Sequence, residues 1–240
     1  MKAQPPSESS VAGTATRARR GRPVKPVRIG RPPGGNGVEP GATRDGLLSA
    51  ARTEFARYGF AGARVSRICK EARTTVRMVY HYFSSKSGLY VAVLEQAMSE
   101  LRAAELKIDV DTSVPVTGLL QLFDFIHAHF DANPQLVSLL SAENLLQARY
   151  MRQSKEIPAM SSPVPRLIAG LVKRGVADGS IHAGVDPLRL YVMMVALSYF
   201  HLSNVHTLSA IFDRDLTRKD WRKDQGRDAR AMIERYLRSA

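Results

Sequence analysis

The sequence predicts an all-α protein, with a three-helix helix-turn-helix unit near the N-terminus followed by a larger helical bundle. Three observations predict it. From Thr43 almost to the end, apolar residues recur at steps of three and four, the spacing that turns one stripe of a helix toward a core. Breakers and capping residues cut that pattern into short lengths, at Gly59 and Gly62, Ser84-Ser85, Asn133-Pro134 and Asp186-Pro187. No stretch of useful length alternates apolar and polar residues with the period of two that a half-buried strand needs.

Residues 1–40 are rich in Pro, Gly, Ser and Arg and have no apolar periodicity, so burial cannot offset the entropy of ordering them; they are read as a disordered basic arm. Gly-Arg-Pro occurs twice within it, at Gly21–Pro23 and Gly30–Pro32. That thin, extended tripeptide suits carrying Arg22 and Arg31 into a narrow, strongly negative groove such as an AT-rich minor groove. A first helix follows, capped by Thr43, with Leu47, Leu48, Ala51, Phe55 and Tyr58 on its stripe and Gly59 at its end. A short second helix runs from Val65 to Ala72. After Arg73-Thr74, Thr75 caps a third, Val76 to Phe83. Ser84-Ser85 then breaks the chain and caps a fourth, Lys86 to Leu106.

The third helix contains Tyr80, His81, Tyr82 and Phe83 in succession, and four consecutive helical residues point around the whole cylinder. Val79 and Phe83 lie four apart and face the small core. Tyr80 and His81 fall on the flanks, Arg77 projects from the first turn, and Lys86 stands just beyond. Two short helices joined by a tight turn in a basic segment form a helix-turn-helix. Hydroxyls, a helix N-terminus and cations of this kind are ordinary phosphate ligands.

Beyond residue 106 the reading stays helical. Helices are expected from Ser113-Val114-Pro115 to Phe130, from Asn133-Pro134 to about Arg149, and from Leu167 to Ala177 after a proline-bearing loop. Asp186-Pro187 opens a long apolar helix, Leu188 to Leu202, and a turn covers Thr207 to Phe212. A charged segment, Asp213 to Asp228, precedes a last amphipathic helix, Arg227 to Arg238. The resulting division is a basic arm (1–40), a helix-turn-helix domain (41–88) and a helical regulatory and dimerisation domain (89–240).

Charge is distributed unevenly over the 240 residues. Residues 1–86 carry 17 Lys and Arg against 5 Asp and Glu, net +12, while the remainder carries 18 against 17, net +1. A polyanion partner for the first part and a different task for the second follow from that asymmetry. A membrane surface would want apolar residues beside the basic ones, and the first 40 residues have almost none. No apolar run is long enough to span a bilayer, and no secretory h-region follows the N-terminal basic residues. The single cysteine, Cys69, excludes an intrachain disulfide framework and a multi-cysteine zinc site; it reads as core and points to a reducing compartment, the cytoplasm.

The stretch from Thr43 to Gln96 resembles the N-terminal DNA-binding domain of the TetR/AcrR family of transcriptional regulators. The residues that carry the resemblance are Ala50, Ala51 and Phe55, then Gly59-Phe60, Val65 with Ile68, and Tyr80-His81-Tyr82-Phe83 with Ser85-Lys86 and Leu89. The resemblance implies phosphate or base contacts from Val65, Thr75, Val76, Arg77, Met78, Tyr80, His81 and Lys86. Three positions depart from the family pattern. Ala63-Arg64 stands where Thr-Ser or Thr-Thr is usual, so the second helix loses its side-chain cap, at about 1 kcal/mol, and Arg64 is free to contact phosphate instead. Arg73 replaces the turn glycine, so either that residue takes a strained φ or the turn differs. Val76-Arg77 replaces Lys-Gly, and an arginine near the groove floor pairs bidentately with guanine. The family also implies a dimer through its last two long helices, here Leu188 to Leu202 and Arg227 to Leu237, with Met194 and Leu197 as interface positions.

Polar residues embedded in the apolar C-terminal helices are the places where an effector could bind: His127, Glu143, Asn144, Tyr191, Ser198, Tyr199, His201 and Asn204. His127 and His129, two apart on a helix, diverge and make a poor metal pair, and no cofactor is expected. No G-x-S-x-G, H-E-x-x-H, phosphate-binding glycine loop or C-x-x-C is present, so no catalytic constellation is expected. The partners read from the sequence are double-stranded DNA, a second copy and an unidentified small molecule. The favoured function is a dimeric repressor released from a pseudo-palindromic operator by that effector. The competing one is an architectural protein of AT-rich DNA with no effector.

Overall fold

The structure, a computed structural model, describes residues 40–111, 113–160 and 162–238, so the arm and its Arg22 and Arg31 lie outside the described residues. All regular structure among the described residues is helical: α1 (Pro40–Gly62), α2 (Val65–Glu71), α3 (Val76–Phe83), α4 (Lys86–Glu105), α5 (Pro115–Ala132), α6 (Pro134–Leu145), α7 (Glu156–Ala159), α8 (Val164–Ala177), α9 (Pro187–Ser203), α10 (Val205–Ile211) and α11 (Lys219–Arg238), with a 3₁₀ turn at Met151–Gln153.

The apolar stripe of α1 behaves as its spacing requires. Leu47, Leu48, Ala51 and Phe55 are buried, each such large side chain contributing about 1.5–3 kcal/mol by leaving water. They pack on α2, α4 and α6. Gly59 ends the regular helix with φ +63°, a conformation open mainly to glycine. α2 and α3 close over α1 through Ile68, Cys69, Val79 and Phe83, all buried. Burial also pushes the Cys69 thiol pKa up, as a core cysteine requires. Arg73 does take the left-handed conformation, φ +50°, rather than changing the turn. Ser84 is left-handed too, and Ser85 Oγ accepts the Gly88 N–H at 2.9 Å to cap α4. Gly88 is obligatory there, because a Cβ would run into the Phe83 carbonyl.

In the C-terminal bundle, α5 is the central helix. Val116, Leu119, Leu120, Leu122, Phe123, Ile126 and Phe130 bury most of its circumference against α6, α8, α9 and α11. On α9, Leu190, Met194, Ser198 and His201 face inward, whereas Leu188, Val192 and Phe200 are 64%, 56% and 57% exposed. The helix-turn-helix unit joins the bundle through α1 and α4. Gln135 Nε2 donates to Thr53 Oγ1 at 3.2 Å, Arg52 pairs with Glu100, and Phe60 lies 4.3 Å from Tyr150 by ring centroid.

Several local expectations are corrected. Thr43 does not cap α1, which begins three residues earlier at Pro40. Thr75 occupies the N-cap of α3 but its hydroxyl makes no capping bond. Asn133 both closes α5 and opens α6 as its N-cap, its carbonyl accepting the Leu136 and Val137 N–H groups, but its side chain gives α6 no cap, because Nδ2 donates back to the His129 carbonyl at 2.7 Å. α6 stops at Leu145 because Gln147 and Ala148 adopt positive φ. α8 starts at Val164, with Pro165 accommodated in its first turn. The charged segment expected before the last helix is largely helix: α11 begins at Lys219, its early turns anchored by Arg222 to Asp131 (2.5 Å) and by Gln225 to the Leu197 carbonyl (3.1 Å). Met194 is fully buried within the single chain, so it is not an outward-facing position.

Candidate functional site

The surface that the sequence leads one to expect against DNA is carried by α2, α3 and the start of α4. Val79 and Phe83 take the core side of α3, and Met78 and Tyr82 beside them are half-buried. Thr75, Val76, Arg77, Tyr80 and His81 are exposed, and Arg64 is exposed at the start of α2. Among the described residues Arg77 has no ion-pair partner, and Tyr80 is 56% exposed without one. Val65 and Met78 spend part of their surface packing on the core. Lys86 is half-buried, its Nζ 4.7 Å above the Phe60 ring. Burial lowers its pKa, with Glu54 acting against that and Arg67 adding to it.

The residue that sequence reasoning missed is Glu54, on α1 and 8% exposed. Its Oε1 accepts the Arg64 backbone N–H and Arg67 Nε, both at 2.8 Å. Arg67 also donates to the Gly62 carbonyl at 2.9 Å and stacks 4.5 Å over Tyr58. Burial works to raise the Glu54 pKa, but Arg67, the Arg64 N–H and Lys86 together hold it below its ordinary value. One signal was available in the sequence: an acid beside Phe55 on a helix whose neighbour lacks its usual cap.

In the bundle, three of the eight polar residues singled out come together. His127 on α5 and His201 on α9 stack with ring centroids 5.5 Å apart, between Phe123 on one side and Trp221 of α11 on the other. Ser198 lies on the same buried face of α9 as His201. Ser198 Oγ, His127 Nδ1 and Gln225 Oε1 are buried without a hydrogen-bond partner, and the buried His201 ring has only the Leu197 backbone carbonyl beside it. An open cleft of about 470 Å³ lined by His127, Asp131, Lys219, Arg222 and Lys223 leads toward the cluster. Burial lowers both imidazole pKa values; for His201 burial and then His127 push it down to about 4.

The other five have their own surroundings. Tyr199 bonds Ser141 Oγ at 2.7 Å and donates to the Val137 carbonyl at 3.3 Å. Asn204 donates to the Phe200 carbonyl and Ser203 Oγ. Tyr191 is half-buried near Arg102 and Glu105, with burial raising its pKa, and Asn144 is exposed. Glu143 is 1% exposed and accepts the backbone N–H groups of Tyr150 (3.1 Å) and Met151 (3.0 Å), serving the turn after α6. Among the described residues no group of three His, Cys, Asp or Glu is placed to hold a metal ion, and no helix is long and apolar enough to cross a membrane.

Comparison with known proteins gives the same outline. Residues 47–93 match a family described as bacterial regulatory proteins, tetR family, and residues 115–233 match a tetracyclin repressor-like C-terminal domain. The chain is 34% identical over 182 residues to the HTH-type transcriptional repressor NicS of Pseudomonas putida, covering 76% of this chain and 86% of that one. It is 29% identical over 160 residues to the HTH-type transcriptional regulator RutR of Escherichia coli, covering 65% and 71%. Among solved structures it resembles a transcriptional regulator, SCO4942 from Streptomyces coelicolor, with a TM-score of 0.55 at 26% identity over 80% of this chain and 96% of that one.

Proposed function

The chain belongs to the TetR family of DNA-binding transcriptional regulators, and we propose that it is a cytoplasmic dimeric repressor released from a pseudo-palindromic operator by a small-molecule effector. The observation that carries the DNA half of this reading is the outward, unpaired set on α3. Arg77, Tyr80 and His81 are exposed beside Thr75 and Val76, while Val79 and Phe83 hold the helix in place. First-turn residues of a recognition helix read base edges, and flanking hydroxyls and cations hold phosphates. Arg64, Val65, Met78 and Lys86 extend that set, and Arg22 and Arg31 of the arm add minor-groove contacts.

The dimer reading is supported by the outward stripe Leu188, Val192 and Phe200 on α9 with Met232 on α11, all more than half exposed in a single chain. Large apolar side chains in a row ask for cover, and two copies of the stripe supply it. Two recognition helices then sit about 34–36 Å apart, one turn of DNA. The effector reading is supported by the unpartnered buried polar atoms of His127, Ser198 and Gln225 beside the His201 ring. Each such group costs about 1–3 kcal/mol until something bonds it. A ligand that bonds them in one dimer arrangement more tightly than in the other shifts the equilibrium between the two.

The test is a footprint on DNA immediately upstream of the chain's own gene, at physiological salt, repeated across a small-molecule library. A protected inverted repeat that one compound releases supports the repressor. Diffuse protection of AT-rich DNA that no compound alters would support the architectural reading instead.

A further inference from the structure

α2 begins without either half of a side-chain cap. Its N-cap residue is Arg64, which has no oxygen to offer, and its third helical residue is Arg67, where a capping box would place a Glu or Gln. In a capping box that third residue reaches back to accept the N-cap backbone N–H. Here the same N–H, that of Arg64, is accepted at 2.8 Å by a carboxylate ten residues earlier on another helix, Glu54 of α1. The side chain at the third position, Arg67, donates to that same oxygen at 2.8 Å. The acid has been moved from α2 to α1, and a cation fills the place it left. We propose that Glu54 is the missing half of the α2 cap supplied from α1, a positioning residue that fixes where Arg64 and Val65 meet DNA.

The loop it controls is short and otherwise weakly held. Between Gly59 and Val65 the chain makes the Ala63 N–H to Gly59 carbonyl bond at 3.2 Å, and Arg67 ties the Gly62 carbonyl at 2.9 Å. Glu54 holds Arg67 for the second of these bonds, so one carboxylate sets both ends of the turn. Its own backbone belongs to α1, which packs on α4 and α6, so the start of α2 is registered to the part of the molecule that joins the bundle. A buried carboxylate that served only to fill space would be replaced to advantage by an apolar side chain of similar size. One that supplies a bond to an otherwise orphaned N–H cannot be.

The proposal rests on the DNA reading only for its affinity readout, and amide exchange at Arg64 tests the cap without any DNA. In the full chain, Glu54→Leu keeps volume and removes the acceptor, Glu54→Gln keeps an acceptor and removes the charge, and Glu54→Leu with Arg67→Glu returns an acid to the capping-box position of α2 itself. Exchange at the Arg64 amide should accelerate about tenfold in Glu54→Leu, little in Glu54→Gln, and return to within about threefold of the parent in the double variant. Affinity for the upstream DNA fragment should follow the same order. Parent-like exchange in Glu54→Leu, or a double variant no better than Glu54→Leu, overturns the proposal. Exchange that follows the expected order while affinity is unmoved by Glu54→Leu and by Arg77→Ala alike would leave the cap standing and sink the DNA reading instead. If Glu54→Leu does not fold, Glu54→Gln and the double variant still decide: a double variant that folds with parent-like exchange supports the cap, and one that fails to fold refutes it.

Discussion

The recognition helix and the buried cluster under α11 both hold polar groups with no partner, and they differ in where those groups point. On α3, Arg77 and Tyr80 point into solvent, where water satisfies them, and on the proposed function DNA would take its place. Between α5, α9 and α11, Ser198 Oγ and His127 Nδ1 point into the protein and have no partner among the described residues. The first arrangement costs nothing in stability and defers all its energy to binding. The second is costly unless a ligand or a water meets those groups, and burial sets its imidazoles against protonation. The same contrast is repeated along α9, where Met194 is sealed within the single chain and Val192 two residues earlier is left uncovered.

Breaking the comparison on α9 gives the largest effect. Met194→Glu should lower unfolding stability by more than about 3 kcal/mol, because a carboxylate replaces a fully buried thioether. Val192→Glu should leave the subunit folded by circular dichroism but convert dimer to monomer by light scattering and abolish cooperative operator binding. A folded, dimeric Val192→Glu protein would place the interface elsewhere.

The buried cluster is next. The unfolded chain protonates His201 at its ordinary 6.5 and the folded chain only near 4, so between those values the unfolded state holds more protons. Stability contributed by the neutral ring is therefore full above pH 6.5 and falls as the pH drops toward 4, by up to about 3 kcal/mol at 1.36 kcal/mol per unit. Asp131 and Arg222 lie close enough to act on the ring in opposite directions, and His127, itself depressed, adds to the loss. Denaturant titrations at pH 7 and pH 4.5 should show this slope in the parent and a shallower one in His201→Phe; equal slopes would mean the ring is not held neutral.

The outward helix should respond in DNA affinity and not in stability. Arg77→Ala should cost about 1–3 kcal/mol at one base position and relax preference there, with the melting temperature unchanged. Loss of stability from this change would mean that Arg77 supports the fold. The remaining effects are electrostatic. Removal of residues 1–40 should lower affinity and salt sensitivity, more where the operator flanks are AT-rich and the minor groove is narrow. Lys86→Ala, the smallest change, should weaken binding to all sequences alike and flatten the salt dependence by roughly one phosphate. An unaltered salt slope after removing the arm would reduce it to a tail.

The sequence alone determined most of the fold, because it is written in local chemistry. Apolar spacing, the Gly59 break, the Ser85 cap and Asp186 before Pro187 need only neighbours within a turn or two, and α2, α3, α4 and α9 begin within a residue of where those signals stand. It also separated Tyr80 and His81 from Val79 and Phe83, since position around one helix is a local property. What only tertiary structure decided are contacts between residues far apart in the chain. α11 starts at Lys219 although its early sequence is charged, because Asp131 and the Leu197 carbonyl receive Arg222 and Gln225. His127, Ser198 and His201 gather while Asn144, Tyr191, Tyr199 and Asn204 do not, because each helix presents one face and the crossings choose which. Glu54 meets the Arg64 N–H for the same reason. A helix's own periodicity says which residues share a side, and the packing of α1 against α2 says what that side touches.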